Sequence, residues 1–197
     1  MNVKKVGHAG TLDPFAGGVL LVCTGKATKR VSELVELTKE YRGTIKLGAQ
    51  TDTDDVTGAV IATGDPSHVT LSDVQKVCKR FEGTIPQIPP MYSAKKISGQ
   101  RLYKIARRGQ VVERKPSMVT IHSLEVYNFK PPFFSIKVIC KKGTYIRALA
   151  RDIGEELGCK AHLHSLTRTR VGDYHINDAM TLDDFKNIMK DESIKTV

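Results

Sequence analysis

The stretch GHAGTLDPFAGGVL, residues 7–20, is the most unusual in the chain, and the interpretation of the fold starts from it. Two glycines precede the pair Asp13-Pro14 and two follow it, so the backbone can turn tightly and approach a ligand closely. An isolated Asp-Pro pair is usually a turn or a helix cap. In this setting we expect residues 7–20, the aspartate loop, to present the Asp13 carboxylate beside a strand, where it could act as a nucleophile.

Outward from the aspartate loop, hydrophobic periodicity predicts a mixture of strands and helices. Strands are predicted at Val19–Cys23, Tyr41–Leu47, Ala59–Thr63, Val119–Val126 and Phe133–Cys140. Helices are predicted after Thr24-Gly25, after a capping box at Thr70–Asp73, at Arg101–Arg108, from Ile146 to a stop at Gly158, and after a second capping box at Thr181–Asp184. Because these elements do not alternate in a steady strand–helix–strand rhythm, the sequence favours an α+β fold over a doubly wound sheet.

Charge and length favour a single domain that binds a polyanion. The chain has 197 residues, with 31 Lys and Arg against 21 Asp and Glu, a net charge of 31 − 21 = +10. Eight basic residues lie between Lys95 and Lys115 against one acidic residue, Glu113. We expect residues of about 84–116, the basic insertion, to leave the single domain of residues 1–197 and to contact nucleic acid rather than a membrane.

Composition also limits the compartment and the cofactors. The N-terminus has no hydrophobic signal segment, no apolar run is long enough to span a membrane, and the four cysteines are widely spaced. We therefore expect a reduced, cytoplasmic protein. No metal and no nucleotide cofactor is expected: Gly25-Lys26-Ala27 lacks the hydroxyl residue of a phosphate loop. The set Cys159, His162 and His164 has no fourth zinc ligand, and we expect its histidines to face RNA or solvent.

Six segments together resemble the TruB family of pseudouridine synthases, and they occur in the order found in that family. The resemblance runs from about Lys4 to Asp184. It is carried by residues 7–20, Lys39–Arg42 (KEYR), Leu47–Gly58 (LGAQTDTDDVTG), Gln87–Lys96 (QIPPMYSAKK), Lys142–Arg147 (KGTYIR) and Leu166–Arg168 (LTR). The resemblance implies a mixed, mostly antiparallel sheet flanked by helices, with a basic thumb-like insertion. It also implies an enzyme that isomerises uridine 55 in the T loop of tRNA after flipping the base out of its stack.

The resemblance also implies roles for three catalytic residues. Asp13 would attack the flipped nucleotide, either at ribose C1′ or at the uracil ring. Tyr41 would stack on the base, and its hydroxyl is a candidate for proton abstraction. Arg147 would pair with Asp13 and orient it through a planar guanidinium fork. Considered without the family, Tyr41 is typical of an inward-facing strand aromatic and Arg147 of an arginine that reaches solvent from a first helical turn.

Further residues are implied at the edges of the same site. Asp55 would contact Arg147 from the side opposite Asp13, with Asp52 and Asp54 as competitors for that place. His8 would help the displaced nucleotide settle, while Tyr145 and Leu166 would line the uracil pocket. In the basic insertion, phosphate contacts are expected from Lys95, Lys96, Arg101, Lys104, Arg107 and Arg108.

Two departures from the family pattern leave alternatives open. The family's usual N-terminal strand and its small C-terminal RNA-binding domain are both expected to be missing from residues 1–197. A monomer that acts without an obligatory protein partner on the T-arm and elbow of tRNA is the favoured interpretation. The alternatives are a tRNA-binding or tRNA-folding protein with lost or secondary catalysis, and a relative that depends on a guide RNA.

Overall fold

The computed structural model describes residues 4–97 and 99–194. Within that part of the chain, thirteen strands are assigned. In order they are β1 (Val6–His8), β2 (Gly17–Gly18), β3 (Val22–Thr24), β4 (Lys39–Leu47), β5 (Ala49–Thr51), β6 (Val60–Thr63), β7 (Gly83–Gln87), β8 (Lys96–Ile97), β9 (Gln100–Arg101), β10 (Ser117–Lys130), β11 (Phe133–Cys140), β12 (Ala161–Val171) and β13 (Tyr174–His175).

Five α-helices accompany these strands in the described residues. They are α1 (Val31–Glu36), α2 (Leu71–Arg80), α3 (Leu102–Ala106), α4 (Ile146–Glu156) and α5 (Leu182–Ile194). The predicted capping box at the start of α2 is confirmed. Thr70 Oγ1 accepts a hydrogen bond from the Asp73 amide at 3.3 Å, and the Asp73 carboxylate accepts one from the Thr70 amide at 3.0 Å.

The main sheet has seven strands, in the order β13-β12-β4-β11-β10-β7, with β2 paired to β12 at its side. All of these pairings are antiparallel except β12 with β2. The predicted α+β class with a mostly antiparallel sheet is therefore confirmed. Because β4 is an interior strand, its register sets Tyr41 opposite Val138 on one side and Arg168 on the other.

The hydrophobic core lies between this sheet and the two helices α2 and α4. Phe134, Ile136, Leu149 and Ile153 are all fully buried in it. In β11 buried residues alternate with less buried ones, and in α4 apolar residues recur every three to four positions. Each element therefore offers one continuous apolar face. Packing α4 on the sheet fixes the position of the first turn of α4, where Arg147 lies.

The prediction of a strand over Val19–Cys23 is wrong in its bounds. The strand begins at Val22, because the apolar run is divided between two partners: Val19 donates its amide to Arg168 O, whereas Val22–Thr24 pairs with β1. The predicted Arg101–Arg108 helix is shorter than expected and covers Leu102–Ala106. It is followed by a turn at Gly109, where φ is +71°.

The basic insertion leaves the sheet between β7 and β10. Because β7 is the edge strand, Pro86 within it costs no sheet hydrogen bond on its open side, and residues 84–87 belong to the sheet rather than to the excursion. The part of the basic insertion that leaves the sheet, the excursion, therefore spans residues 88–116. It has a small core of its own, formed by Met91, Leu102, Ile105 and Ala106.

The cysteines and histidines follow the sequence prediction in part. All four cysteines are free and buried, and burial raises the pKa of the Cys78 and Cys140 thiols to about 12. The expectation that His162 faces RNA or solvent is wrong: its ring is buried, with Nδ1 2.8 Å from Ala49 O, because β5 lies against β12 at this point. His164 is exposed and meets the Phe133 ring edge-on.

Two kinds of feature are absent from residues 4–97 and 99–194. No helix there has the length and apolar character needed to cross a membrane. No group of three or more His, Cys, Asp or Glu side chains in the same residues is arranged to hold a metal ion. Cys159, His162 and His164 are therefore not grouped as ligands, because their positions on and beside β12 direct them to different surroundings.

Candidate active site

Asp13 and Arg147, which are 134 positions apart in the chain, meet as a two-point ion pair. Arg147 Nε donates to Asp13 Oδ2 at 3.0 Å, and Arg147 Nη2 donates to Asp13 Oδ1 at 2.7 Å. The Arg147 side chain is 4% exposed and that of Asp13 is 30% exposed. The pair therefore has a buried cationic side and a carboxylate that solvent or a ligand can reach. Such a fork fixes both the distance and the rotation of the carboxylate.

The remaining donors of Arg147 are also used. Nη1 donates to Thr53 O and Nη2 donates to Tyr92 O, both at 2.9 Å. Nη1 lies 3.5 Å from Asp55 Oδ2, whose side chain is 6% exposed. A buried guanidinium with all its donors directed in this way cannot rotate without losing several hydrogen bonds. Arg147 thus connects the aspartate loop, the acidic loop and the basic insertion.

The three aspartates of the acidic loop, Thr51–Gly58, have different hydrogen-bond and ion-pair partners. Asp55 accepts hydrogen bonds from the Thr57 amide at 2.9 Å and from Thr53 Oγ1 at 2.8 Å, and it faces Arg147. Asp52 accepts instead from the Ala59 amide at 2.9 Å. Asp54 pairs with Arg151 at 2.9 Å. Of the three candidates, the structure brings Asp55 to Arg147, the arrangement that the family resemblance implies.

Sequence reasoning missed Arg168 as a residue that shapes the site. Its side chain is 1% exposed, and it donates from Nε to Val19 O at 2.7 Å and from Nη2 to Gly10 O at 3.1 Å. Val19 N donates back to Arg168 O at 2.9 Å. The two bound carbonyls lie on either side of Asp13, so Arg168 holds the loop closed at its base. The signal in the sequence was the LTR segment, which contains Arg168 but by itself assigns it no role.

We expect Gly18→Ala to destabilise the aspartate loop. Gly18 has φ +106°, and a Cβ there would come within 2.2 Å of Arg168 O, a backbone atom that cannot rotate away. Loss of about 2 kcal/mol or more of unfolding free energy is expected, since a strained φ and a backbone clash combine. Urea unfolding of the variant measures it. Gly17→Ala is the matched control, because no atom lies within 4 Å of its added Cβ. Equal stabilities for the two variants would contradict this account.

Tyr41 lies on β4 and packs partly buried against the main core. Burial raises the pKa of its phenol, and the nearby Asp13 charge raises it further, while Arg168 lowers it. The phenol is therefore held in its protonated form at neutral pH. In the sheet Tyr41 lies opposite Arg168 of β12, and the charge of Asp13 is near enough to act on its phenol.

The other predicted pocket residues differ in their surroundings. Tyr145 is partly exposed directly before α4, where the Gln87 side chain bonds its amide at 2.9 Å and its carbonyl at 3.1 Å. Burial raises the pKa of the Tyr145 phenol. Leu166 is 6% exposed and packs in the main core opposite Gly43. His8 ends β1 and is exposed, and no hydrogen bond or ion pair within the described residues joins it to Asp13 or Arg147.

The basic insertion carries most of its charge on the outside. Lys96, Arg101, Lys104, Arg107 and Arg108 are exposed, whereas Lys95 is half-buried and donates to Ser117 Oγ. Lys95 is therefore engaged within the protein. A cleft of about 510 Å³ in the excursion is lined by Lys96, Gly99, Gln100, Arg101, Lys104 and Arg108. Its four cations and open shape suit a polyanion.

Comparison with known families gives matches along the chain. Residues 1–146 match the family described as TruB family pseudouridylate synthase (N terminal domain). Residues 147–196 match the tRNA pseudouridylate synthase B C-terminal domain. The boundary between the two matches falls in the first turn of α4, between Ile146 and Arg147, so the residues that meet at Arg147 come from both parts.

Individual relatives agree with these matches. The chain is 50% identical over 188 residues to tRNA pseudouridine synthase B of Geotalea uraniireducens, covering 95% of this chain and 61% of that protein. It is 48% identical over 199 residues to the protein of the same name from Phocaeicola vulgatus, covering 100% and 85%. With that of Bacteroides fragilis it shares 53% over 182 residues, covering 91% and 78%.

Solved structures show the same fold. A chain in a crystal structure of a Cbf5-Nop10-Gar1 complex superposes with a TM-score of 0.71 at 30% identity, covering 98% of this chain and 49% of the other. A chain from an H/ACA RNP bound to a substrate RNA containing 2'-deoxyuridine superposes with a TM-score of 0.69 at 28% identity, covering 98% and 48%. The present chain thus spans about half the length of these structural neighbours.

Proposed function

Since this chain belongs to the TruB family of pseudouridylate synthases, we propose that it isomerises uridine 55 in the T loop of tRNA, with Asp13 as the attacking group. The single observation that carries the proposal is the carboxylate of Asp13, exposed on one side and held at two points by the buried Arg147 on the other. A nucleophile needs both properties, access to the substrate and a fixed direction.

The chemistry requires no cofactor or redox partner. The bond between uracil N1 and ribose C1′ breaks, and a bond between uracil C5 and C1′ forms. C5 loses its hydrogen as a proton and N1 gains one, so the product has the same composition as the substrate. Asp13 would form a bond either to C1′ or to the uracil ring and would leave again when the new C5–C1′ bond is complete. The uridine must first leave the stack of the tRNA, since these atoms are otherwise covered.

Each neighbour of Asp13 has a task in this scheme. Arg147 directs the carboxylate through its two hydrogen bonds, and Asp55 balances part of the positive charge of Arg147. Arg168 holds the aspartate loop at Gly10 and Val19, so that the tip carrying Asp13 keeps its shape when RNA binds. Tyr41 offers an aromatic face for the flipped base. Its protonated hydroxyl could relay a proton, by giving its own proton toward uracil N1 as it takes the proton lost from C5.

Two substitutions at Tyr41 separate the ring from the hydroxyl. Tyr41→Ala removes the stacking surface and is expected to weaken the reaction by about 1–3 kcal/mol from stacking alone, in addition to any loss from the hydroxyl. Tyr41→Phe keeps the ring, so a loss of about 10²-fold or more in the single-turnover rate is expected if the hydroxyl moves a proton. Rapid-quench measurements at saturating enzyme give both rates. A Phe variant as fast as the unaltered protein would remove the hydroxyl from the mechanism.

The cleft of the basic insertion supports contact with the tRNA backbone. Its cations Lys96, Arg101, Lys104 and Arg108 are exposed and close together, as phosphate-binding side chains need to be. Folded RNA is recognised mainly by its shape and its phosphates. The proposed catalytic domain therefore includes the excursion as its RNA-binding part, and affinity for tRNA is expected to fall steeply as salt is raised.

The test is tritium release from a tRNA transcript labelled at uridine C5. The unaltered protein is expected to release about one tritium per transcript, because a single base is extruded and isomerised. A second transcript with cytidine at position 55 is the control and is expected to release none. Release from the control transcript would place the reaction at another uridine. Salt-sensitive binding without release from either transcript would favour a tRNA-binding protein instead.

A further inference from the structure

A second ion-pair cluster lies one helical turn beyond Arg147. Arg147 and Arg151 are four residues apart on α4, so they project from the same face. Arg151 Nη1 donates to Asp54 Oδ2 at 2.9 Å, and Arg151 Nε donates to Asp152 Oδ1 at 2.9 Å. The side chains of Arg151 and Asp54 are 12% and 7% exposed. The pair is therefore nearly as buried as the one between Arg147 and Asp55.

The backbone of the acidic loop directs two consecutive aspartates to two successive arginines. Asp54 has φ +61°, a left-handed conformation that aspartate tolerates better than most residues. Its amide donates to Thr51 O at 3.2 Å, and its carbonyl accepts from the Leu163 amide at 3.0 Å. These bonds fix the turn, and as a result Asp54 faces Arg151 while Asp55 faces Arg147.

Both arginines also bind the root of the basic insertion, the backbone of residues 88–92. Arg151 Nη2 donates to Ile88 O and Arg147 Nη2 donates to Tyr92 O, each at 2.9 Å. Arg114, at the other end of the excursion, donates from Nη1 to Pro89 O at 3.0 Å. One face of α4 therefore joins the acidic loop to the segment from which the excursion departs.

We propose that Arg151 and Asp54 are positioning residues that hold the acidic loop and the root of the basic insertion against α4. In this way Arg147 keeps its hydrogen bonds to Thr53 O, to Tyr92 O and to the Asp13 carboxylate. The proposal rests on the proposed function, because its effect is measured on that reaction. Neither residue is a catalytic residue: within the described part of the chain, no hydrogen bond or ion pair connects Arg151 or Asp54 to Asp13. Their influence passes through Thr53 O and Tyr92 O, the two carbonyls that Arg147 binds.

The charges around Asp54 give this pair a characteristic pH dependence. The groups that face it are Arg151, Arg147 and Asp152 on α4 and Arg114 at the end of the basic insertion. Burial raises the pKa of the Asp54 carboxyl to about 6, even though the arginines lower it. Above that pH the carboxylate is charged and pairs with Arg151. As pH falls through about 6 the carboxyl takes up a proton and the ionic part of the contact is lost.

The experiment compares Asp54→Asn, Arg151→Met and the double variant in single-turnover tritium release between pH 5 and 8. Each single variant is expected to lower the rate at pH 8 about tenfold or more, since small displacements of catalytic groups have effects of that size or larger. The KM for tRNA is expected to stay within about twofold, and the double variant is expected to lose no more than the worse single variant, as coupled residues do. An acid limb near pH 6 is expected in the unaltered protein and is expected to be absent from Asp54→Asn.

Arg80→Met is the matched control. Arg80 lies at the end of α2, and its exposed ion pair joins Glu156 at the C-terminal end of α4, away from Arg147 and Arg151. The control is expected to leave rate, KM and pH profile unchanged. Additive losses in the double variant, a change in KM alone, or an acid limb that persists in Asp54→Asn would overturn the proposal. If Arg151→Met does not fold, the acid limb and its loss in Asp54→Asn decide the question. Failure of the unaltered protein to release tritium would instead count against the proposed function.

Discussion

Asp13→Asn is expected to abolish isomerisation, lowering the single-turnover rate by at least about 10⁴-fold, the scale seen when an attacking group is removed from an enzyme. The amide has nearly the same shape as the carboxylate, and its oxygen can still accept one hydrogen bond from Arg147. It has no negative charge and is a poor nucleophile, so the reaction would stop while the loop kept its geometry. Tritium release from tRNA labelled at uridine C5 measures the loss.

Asp65→Asn is the matched control for this prediction, because Asp65 is an exposed carboxylate that bonds only its neighbour Ser67 among the described residues. We expect the control to react as fast as the unaltered protein. Binding of tRNA by Asp13→Asn is expected to persist and to weaken with salt, since the exposed cations of the basic insertion are unchanged. Substantial tritium release by Asp13→Asn would mean that another group attacks the nucleotide.

Arg147→Met is expected to destabilise the fold by about 3–5 kcal/mol, the cost typical of removing one partner from a buried ion pair. The substitution leaves Asp55 as a nearly buried carboxylate without its cation, and it leaves Thr53 O and Tyr92 O without a donor. It also frees Asp13 to rotate, so isomerisation is expected to be lost as well. Urea unfolding monitored by circular dichroism measures the change in the free energy of unfolding.

Two further variants test whether the lost stability comes from the uncompensated charge of Asp55. Arg147→Met combined with Asp55→Asn removes both charges and is expected to recover part of the lost stability, because the uncompensated carboxylate is gone. Arg30→Met, which breaks the exposed pair with Glu33, is expected to leave the free energy of unfolding unchanged. A loss in Arg147→Met no larger than in Arg30→Met would show that the buried network does not stabilise the fold.

The elements with strong periodicity could be predicted from the sequence. The strand at Phe133–Cys140 has the predicted bounds, because its alternation matches a strand with one face in the core. The α2 helix begins at a capping box whose two residues are three positions apart, so the signal is entirely local. The run Val19–Cys23 was assigned wrongly, because its residues bond to two different strands and periodicity carries no information about partners.

The family resemblance predicts the residues of the site and the pairing of Asp13 with Arg147, but not the geometry of that pair. Glycines around Asp13-Pro14, the KGTYIR segment and the acidic loop resemble family motifs, and the chain belongs to that family. The resemblance favours Asp55 as the residue that meets Arg147 but leaves Asp52 and Asp54 as competitors, because the three lie within four positions in one loop. The left-handed turn at Asp54 decides it, by sending Asp54 to Arg151 and Asp55 to Arg147.

The sequence by itself therefore determined the α+β class, the family, the net positive charge and its concentration in the basic insertion. These properties depend on composition, on local periodicity and on motifs that each lie within a short segment. Only the tertiary structure brought Asp13 to Arg147 across 134 positions and placed Arg168 under Gly10 and Val19. The physical reason is that the register of β4 against β12 and the packing of α4 on the sheet fix these contacts, and both are decided by the whole core at once.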